Sequence, residues 1–225
     1  MLSKLLALLM AFLSMGQGAL NSYMDQLSLG GDLFLVNRDY MIAADYVPDD
    51  LVTPNVRRGG SGIQMRKDAA AALEELFKAA KDEENYTLLA ISGYRSYQTQ
   101  ASIFNRKVKN VGRAKAMQLV ALPGASEHQL GLAMDVGCKR STGLTGSFGK
   151  TPEGKWLAEN CYRFGFILRY KAEWTETTGY AYEPWHIRYV GTEHAARIKE
   201  LDIPFEDYIA VLVQARDAAL PDGKE

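Results

Sequence analysis

The segment SEHQLGLAMDVG, Ser126 to Gly137, holds a histidine and an aspartate, His128 and Asp135, on either side of Gly131. A second segment, EPWHIRYVG, carries Glu183 just before His186, and a third, SGYRSYQTQ, carries Arg95 and Gln100. Two imidazoles and one carboxylate form a donor set for Zn2+. Three protein ligands leave the fourth position open, which marks a catalytic rather than a structural site. Zinc held this way lowers the pKa of a bound water to about 7, making hydroxide available at neutral pH. Hydrolysis then needs a base and a charge to meet the oxyanion. Glu183, stiffly linked to His186 through Pro184, is the candidate base, and Arg95, always charged, is the candidate oxyanion partner.

Strands must bring these residues together. Leu132, Met134 and Val136 alternate with Ala133, Asp135 and Gly137, so a strand here turns its large apolar side chains to a core. Asp135 then faces the other way, toward a cleft or solvent. The same parity sets Trp185, Ile187 and Tyr189 against His186, Arg188 and Val190. As antiparallel neighbours, the two strands would present Asp135 and His186 as a cross-strand pair. His128 precedes its strand, and Gly131 supplies the bend that folds it back over Asp135.

YTLLAISGYRS reads as a strand broken at Gly93, with Ser96 at the N-cap of the next helix. Arg95 therefore sits at a strand–helix junction, where sites are commonly built, and Gln100 lies in the first helical turn. Tyr97, Ala101, Phe104, Val108 and Val111 share one face of that helix. MRKDAAAALEELFKAAKDE is a helix with the stripe Ala69, Leu73, Leu76, Phe77 and Ala80. LFLVNRDYMIAADYVPDDLV reads as an irregular arm with one short strand, ended by Pro48. The chain closes on a helix begun by Pro204, whose Phe205, Tyr208, Ile209 and Leu212 serve packing. The loop CKRSTGLTGSFGKTPEGKW is expected in the cleft wall, with a helix starting near Thr151 or Pro152.

A length of 225 residues suits a single domain. Basic and acidic residues nearly balance, 26 against 27, so the chain lacks the electrostatic footprint of a nucleic-acid binder. Lys4 is followed by the apolar run LLALLMAFLSM and then by small residues at Gly16 and Gly18. This matches a secretory signal peptide, and the run is shorter than the roughly 20 apolar residues of a membrane span. The expected organisation is a signal peptide over 1–18, a polar linker over 19–32 and a domain over 33–220. Cys138 and Cys161 either pair, as export permits, or remain two buried thiols.

Taken singly, each candidate has a plainer reading: a surface-paired Arg95, a solvated Glu183, a hydrogen-bonded His128. His194, in TEHAARIKEL, is read in that plain way. Together, SGYRSYQTQ, SEHQLGLAMDVG and EPWHIRYVG resemble, in order, the signatures of the VanY-type D-alanyl-D-alanine carboxypeptidases, relatives of the LAS metallopeptidases. The resemblance runs from about Leu35 to the C-terminal helix.

It implies a single α+β domain of LAS/Hedgehog-like architecture, with helices on one face of an antiparallel sheet and a zinc cleft on the other. It also implies one Zn2+ held by His128, Asp135 and His186, with Glu183 as base and Arg95 beside the substrate. Ser126, Gln100 and Tyr94 are implied on the substrate-binding side. The implied reaction removes the terminal D-alanine from peptidoglycan stem peptides, by an exported monomer with no obligate protein partner. An uncleaved membrane anchor is the alternative to cleavage of the signal. The same scaffold would serve an L,D-carboxypeptidase, a D,D-dipeptidase or an endopeptidase cutting within stem peptides. A wall-binding module without catalysis is the reading from another class, and Glu183 and Arg95 together argue against it, since binding alone needs no base.

Overall fold

A computed structural model of the chain describes residues 2–15, 17–60 and 63–219. The chain begins with helices α1 (Leu2–Leu13) and α2 (Gln17–Leu27), then an irregular arm to the short strand β1 (Leu51–Val52). β1 pairs with β2 (Met65–Arg66) as a two-stranded antiparallel ribbon that leads into α3 (Lys67–Glu84). The segment expected as a polar linker thus carries α2, and the arm's one short strand falls after Pro48 rather than before it.

The central sheet has four antiparallel strands in the order β3 (Leu88–Ser92), β4 (Ala133–Cys138), β6 (Glu183–Tyr189) and β5 (Phe166–Tyr170). Between β3 and β4 run α4 (Tyr97–Val111) and α5 (Arg113–Leu119). Between β4 and β5 lies α6 (Pro152–Asn160), and α7 (Thr175–Thr178) precedes β6. α8 (Thr192–Leu201) and α9 (Phe205–Ala219) close the described chain.

One sheet face carries the larger core. Ala69, Leu73, Leu76, Phe77 and Ala80 of α3 pack with Met134, Val136, Phe166 and Ile187 of the sheet and Trp156 and Leu157 of α6. Each large apolar side chain buried there contributes about 1.5–3 kcal/mol relative to exposure. α3 ends where Asn85 takes the left-handed conformation (φ 56°) and its N–H returns to the carbonyls of Ala80 and Lys81. α6 starts at Pro152 with Thr151 as N-cap, its hydroxyl accepting from Gly154 N at 3.0 Å.

The opposite face is shared. Asp135 and His186 occupy one part of it, whereas Ile167 and Val190 join a second apolar cluster with α8, α9 and α1. This face therefore holds helices as well as a cleft. α1 lies against α9, burying Leu8 and Phe12 beside Tyr208, while Leu2, Leu6 and Met10 remain exposed. No helix among the described residues is long and apolar enough to cross a membrane.

Candidate metal centre and active site

Register creates the site. Asp135 of β4 stands directly opposite His186 of β6, the expected cross-strand pair. His128 sits in a short 3-10 turn (Glu127–Leu130) closed by Gly131 at φ +69°. A side chain on Gly131 would add strain to that left-handed backbone and bring a Cβ within 2.9 Å of Leu51. On the other side, the carbonyl of Gly93 accepts from His128 Nδ1 at 2.7 Å. Gly93 reaches that place because it has no side chain: a Cβ would lie 2.3 Å from the Gln64 carbonyl oxygen.

That hydrogen bond puts the His128 proton on Nδ1 and turns Nε2 inward as a lone pair. Nε2 lies 3.3 Å from Asp135 Oδ1 and has no hydrogen-bond partner, although it is buried. His186 Nδ1 lies 3.2 Å from the same oxygen. One ligand atom from each of the three residues falls within 4.8 Å of the others, a spacing that one metal ion can bridge. The other nitrogen of His186, Nε2, is 3.1 Å from Glu127 Oε2. An orphaned inward-facing imidazole nitrogen and a mixed nitrogen and oxygen donor set fit zinc.

Burial, reinforced by Arg95, lowers the His128 pKa to about 4, so the ring is neutral and able to ligate at neutral pH. For His186, burial is opposed and outweighed by the hydrogen bonds to Asp135 and Glu127, and its pKa rises to about 9. Burial would raise the Asp135 pKa, but the His128, His186 and Arg95 contacts hold it well below the usual carboxylate range. Glu183 opens β6, and its Oε2 lies 3.9 Å from His186 Nδ1. Burial raises its pKa to about 7, which suits a group that must both take and return a proton near neutrality.

Arg95 follows the β3 strand end. Its backbone N–H donates to the His128 carbonyl at 3.1 Å, and its Nη1 lies 3.6 Å from Asp135 Oδ2. Its Nε is buried without a partner. These groups line a cavity of about 310 Å³, together with Ser126, Tyr170, Tyr180 and the α4 side chains Arg106 and Lys107. Of the loop after Cys138, only Leu144 reaches the cavity.

Gln100 and Tyr94 stand elsewhere: neither lines the cavity. Gln100 is fully buried in α4, where its Nε2 donates to the Ala121 carbonyl at 2.8 Å. Tyr94 is half-buried, and its backbone N–H pairs with the Gln64 carbonyl. Ser96 caps α4 as expected, accepting from Thr99 N at 3.2 Å. Of the expected apolar face only Phe104 is buried, because α4 turns Gln100 inward and Ile103, Arg106 and Lys107 to the cavity. His194 is a packing residue, its Nδ1 2.7 Å from Tyr208 Oη, and both cysteines are buried and free.

Glu127, Arg169 and Arg188 are further site residues, and sequence reasoning had not singled them out. Arg188 shares strand parity with His186, and Arg169 is a lone charge in the apolar strand FILRY, which are the signals that could have found them. Glu127 lies in the aperiodic turn beside His128 and carries no such signal. Burial would raise the Glu127 pKa, but Arg169, Arg188 and His186 hold it far below the usual range.

Residues 62–192 match the family described as VanY: D-alanyl-D-alanine carboxypeptidase. The chain belongs to that family. YodJ of Bacillus subtilis, provisionally named a carboxypeptidase, is 48% identical over 182 residues, which span 78% of this chain and 66% of YodJ. The chain thus spans just under two thirds of that relative's length. Among solved structures, the LdcB LD-carboxypeptidase superposes with a TM-score of 0.73 at 45% identity, over 78% of this chain and 84% of that one. The vancomycin resistance D,D-pentapeptidase VanY, solved with Zn(II), superposes with a TM-score of 0.68 at 37% identity, over 79% and 98%. The family's mixed α and antiparallel β architecture is the one described above.

Proposed function

We propose that the chain is a zinc-dependent D-alanyl-D-alanine carboxypeptidase that removes the terminal D-alanine from peptidoglycan stem peptides. The observation that carries this reading is the buried, unpartnered His128 Nε2 converging with Asp135 and His186 in a cavity that Glu183 overlooks. His128, Asp135 and His186 would hold the metal. Bound there, zinc supplies a Lewis acid that polarises the scissile carbonyl and lowers the pKa of water to about 7.

The chain's own residues do the rest. Glu183, on the cavity wall 3.9 Å from His186 Nδ1, takes a proton from the attacking water and returns it to the leaving amine. Arg95, half enclosed and with Nε free, meets the negative charge that develops on the carbonyl oxygen. Ser126, buried on the cavity wall, would touch the peptide end. We assign Gln100 and Tyr94 to the shape of the wall behind the cavity rather than to its lining. The substrate lies outside the membrane, so we propose an exported monomer whose N-terminal apolar segment directs export.

A second reading, L,D-carboxypeptidase action on a tetrapeptide stem, is favoured by one observation: identity to LdcB, at 45%, exceeds identity to VanY, at 37%. Mass analysis after incubating the zinc-loaded chain with pentapeptide and tetrapeptide stems decides between them. Loss of one alanine from the pentapeptide alone supports the D,D reading. Trimming of the tetrapeptide moves the assignment to L,D, and cleavage of neither contradicts both.

A further inference from the structure

His186 needs a fixed orientation to act as a ligand. Rotating an imidazole by half a turn exchanges a nitrogen with a carbon, and moving its proton removes the lone pair from the inward atom. Both are prevented from the same side. Glu127, 1% exposed, sets its Oε2 3.1 Å from His186 Nε2, so the ring donates from Nε2 and turns Nδ1 toward Asp135, where a metal would displace any proton it carries. Tyr170 packs against the ring, tilted by 46° with centroids 4.9 Å apart.

Glu127 is itself held by its other oxygen. Oε1 accepts from Arg169 Nε at 2.7 Å and from Arg188 Nη1 at 3.2 Å. Arg169 uses its two remaining nitrogens on the Glu206 carboxylate of α9, at 2.9 and 2.5 Å. Arg188 gives its remaining donors to the carbonyls of Asp32, Phe34 and Tyr189. Both guanidiniums also lie over the ring of Phe205 on α9. A carboxylate present only to balance two arginines would need no contact with His186. Here the two oxygens divide the work, one to the guanidiniums and one to the imidazole.

We infer that Glu127 is a positioning residue for the metal, fixing His186 with Nδ1 toward the site, and that Arg169 and Arg188, anchored on the C-terminal helix by Glu206 and Phe205, fix Glu127 in turn. The inference rests on the zinc reading above. Outer partners of histidine ligands typically govern metal affinity by about 10–100-fold. In Glu127→Gln the guanidiniums claim the single amide oxygen and the NH2 turns to His186 Nε2. The ring proton then moves to Nδ1, the atom the metal needs.

The test is the zinc dissociation constant of the full chain, measured by competition with a chromophoric chelator. Glu127→Gln is expected to weaken zinc by about 10–100-fold while near-UV circular dichroism stays native. A folded variant with an unchanged constant overturns the inference. A measurement without substitution covers the case in which the variant fails to fold. In the zinc-loaded unaltered chain, labelled with 15N at histidine, the Nε2 proton of His186 should appear protected from solvent. A freely exchanging proton, or one found on Nδ1, overturns the inference. Failure of the unaltered chain to bind zinc at all overturns the zinc reading itself, which separates the two.

Discussion

Two groups of buried charge lie on the same face of the sheet, and they differ in what they leave unpaired. Around the cavity, His128 Nε2 and Arg95 Nε are buried without partners, and Glu183 is pushed by burial to a pKa of about 7. Beside it, none of Glu127, Arg169, Arg188 and Glu206 leaves a buried side-chain nitrogen or oxygen unpaired. An unpaired buried polar atom costs about 1–3 kcal/mol, so the first group is tolerated for a ligand and the second is complete as scaffold. Between these two groups the difference lies in hydrogen-bond satisfaction more than in charge. Gln100 Oε1, Gln129 Oε1 and Glu153 Oε2, outside the cavity, are unpaired as well, so an orphaned atom marks the site only where it converges with the other donors.

The comparison breaks most directly at the metal. His186→Ala should remove both zinc binding and turnover, measured by metal analysis and peptide cleavage, because the donor set loses a ligand. Glu183→Gln should keep the metal and lower turnover by about 10²–10⁴-fold, the range for losing a general base. In the second group the expected loss is in stability. Arg169→Met leaves Glu206 without its guanidinium and Glu127 with Arg188 as its one remaining arginine, and should cost about 3–5 kcal/mol, read as a lowered midpoint in chemical unfolding.

Glu183 sharpens the contrast, because its variant should move stability the other way. Its folded pKa of about 7 lies above the ordinary carboxylate value of 4.5, so the folded, metal-free chain holds the proton more tightly than the unfolded chain does. Stability is then lost as pH rises from about 4.5 through about 7. Glu183→Gln should escape that loss and unfold later at pH 8, by on the order of 3 kcal/mol. The smallest effect concerns His186, whose pKa is raised to about 9. Zinc binding at pH 7 should release about one proton, seen in calorimetry as heat that varies with the buffer's ionisation enthalpy.

Much of the site was legible because strand parity is a two-fold pattern with little room for error. Alternation alone put Asp135 and His186 on one surface, and their register makes them direct partners. Three motifs in order supplied the family and its architecture. What escaped was set by packing between elements. Gln100, implied on the substrate-binding side, is fully buried, because α4 turns it inward to donate to the Ala121 carbonyl. The polar stretch after Gly18 folds as α2, a case in which context overrides composition. Glu127 is decided by Arg169 and Arg188, which reach it from strands more than forty residues away.

In the proposed enzyme one metal, held by His128, Asp135 and His186, works with Glu183 as the base. The most direct measurement takes Glu183→Gln protein, titrates its zinc content and affinity, and assays the same sample on a pentapeptide stem. One zinc per chain at the affinity of the unaltered protein, with cleavage reduced by at least about 10²-fold, is the predicted result. Cleavage at the unaltered rate with zinc bound would contradict it.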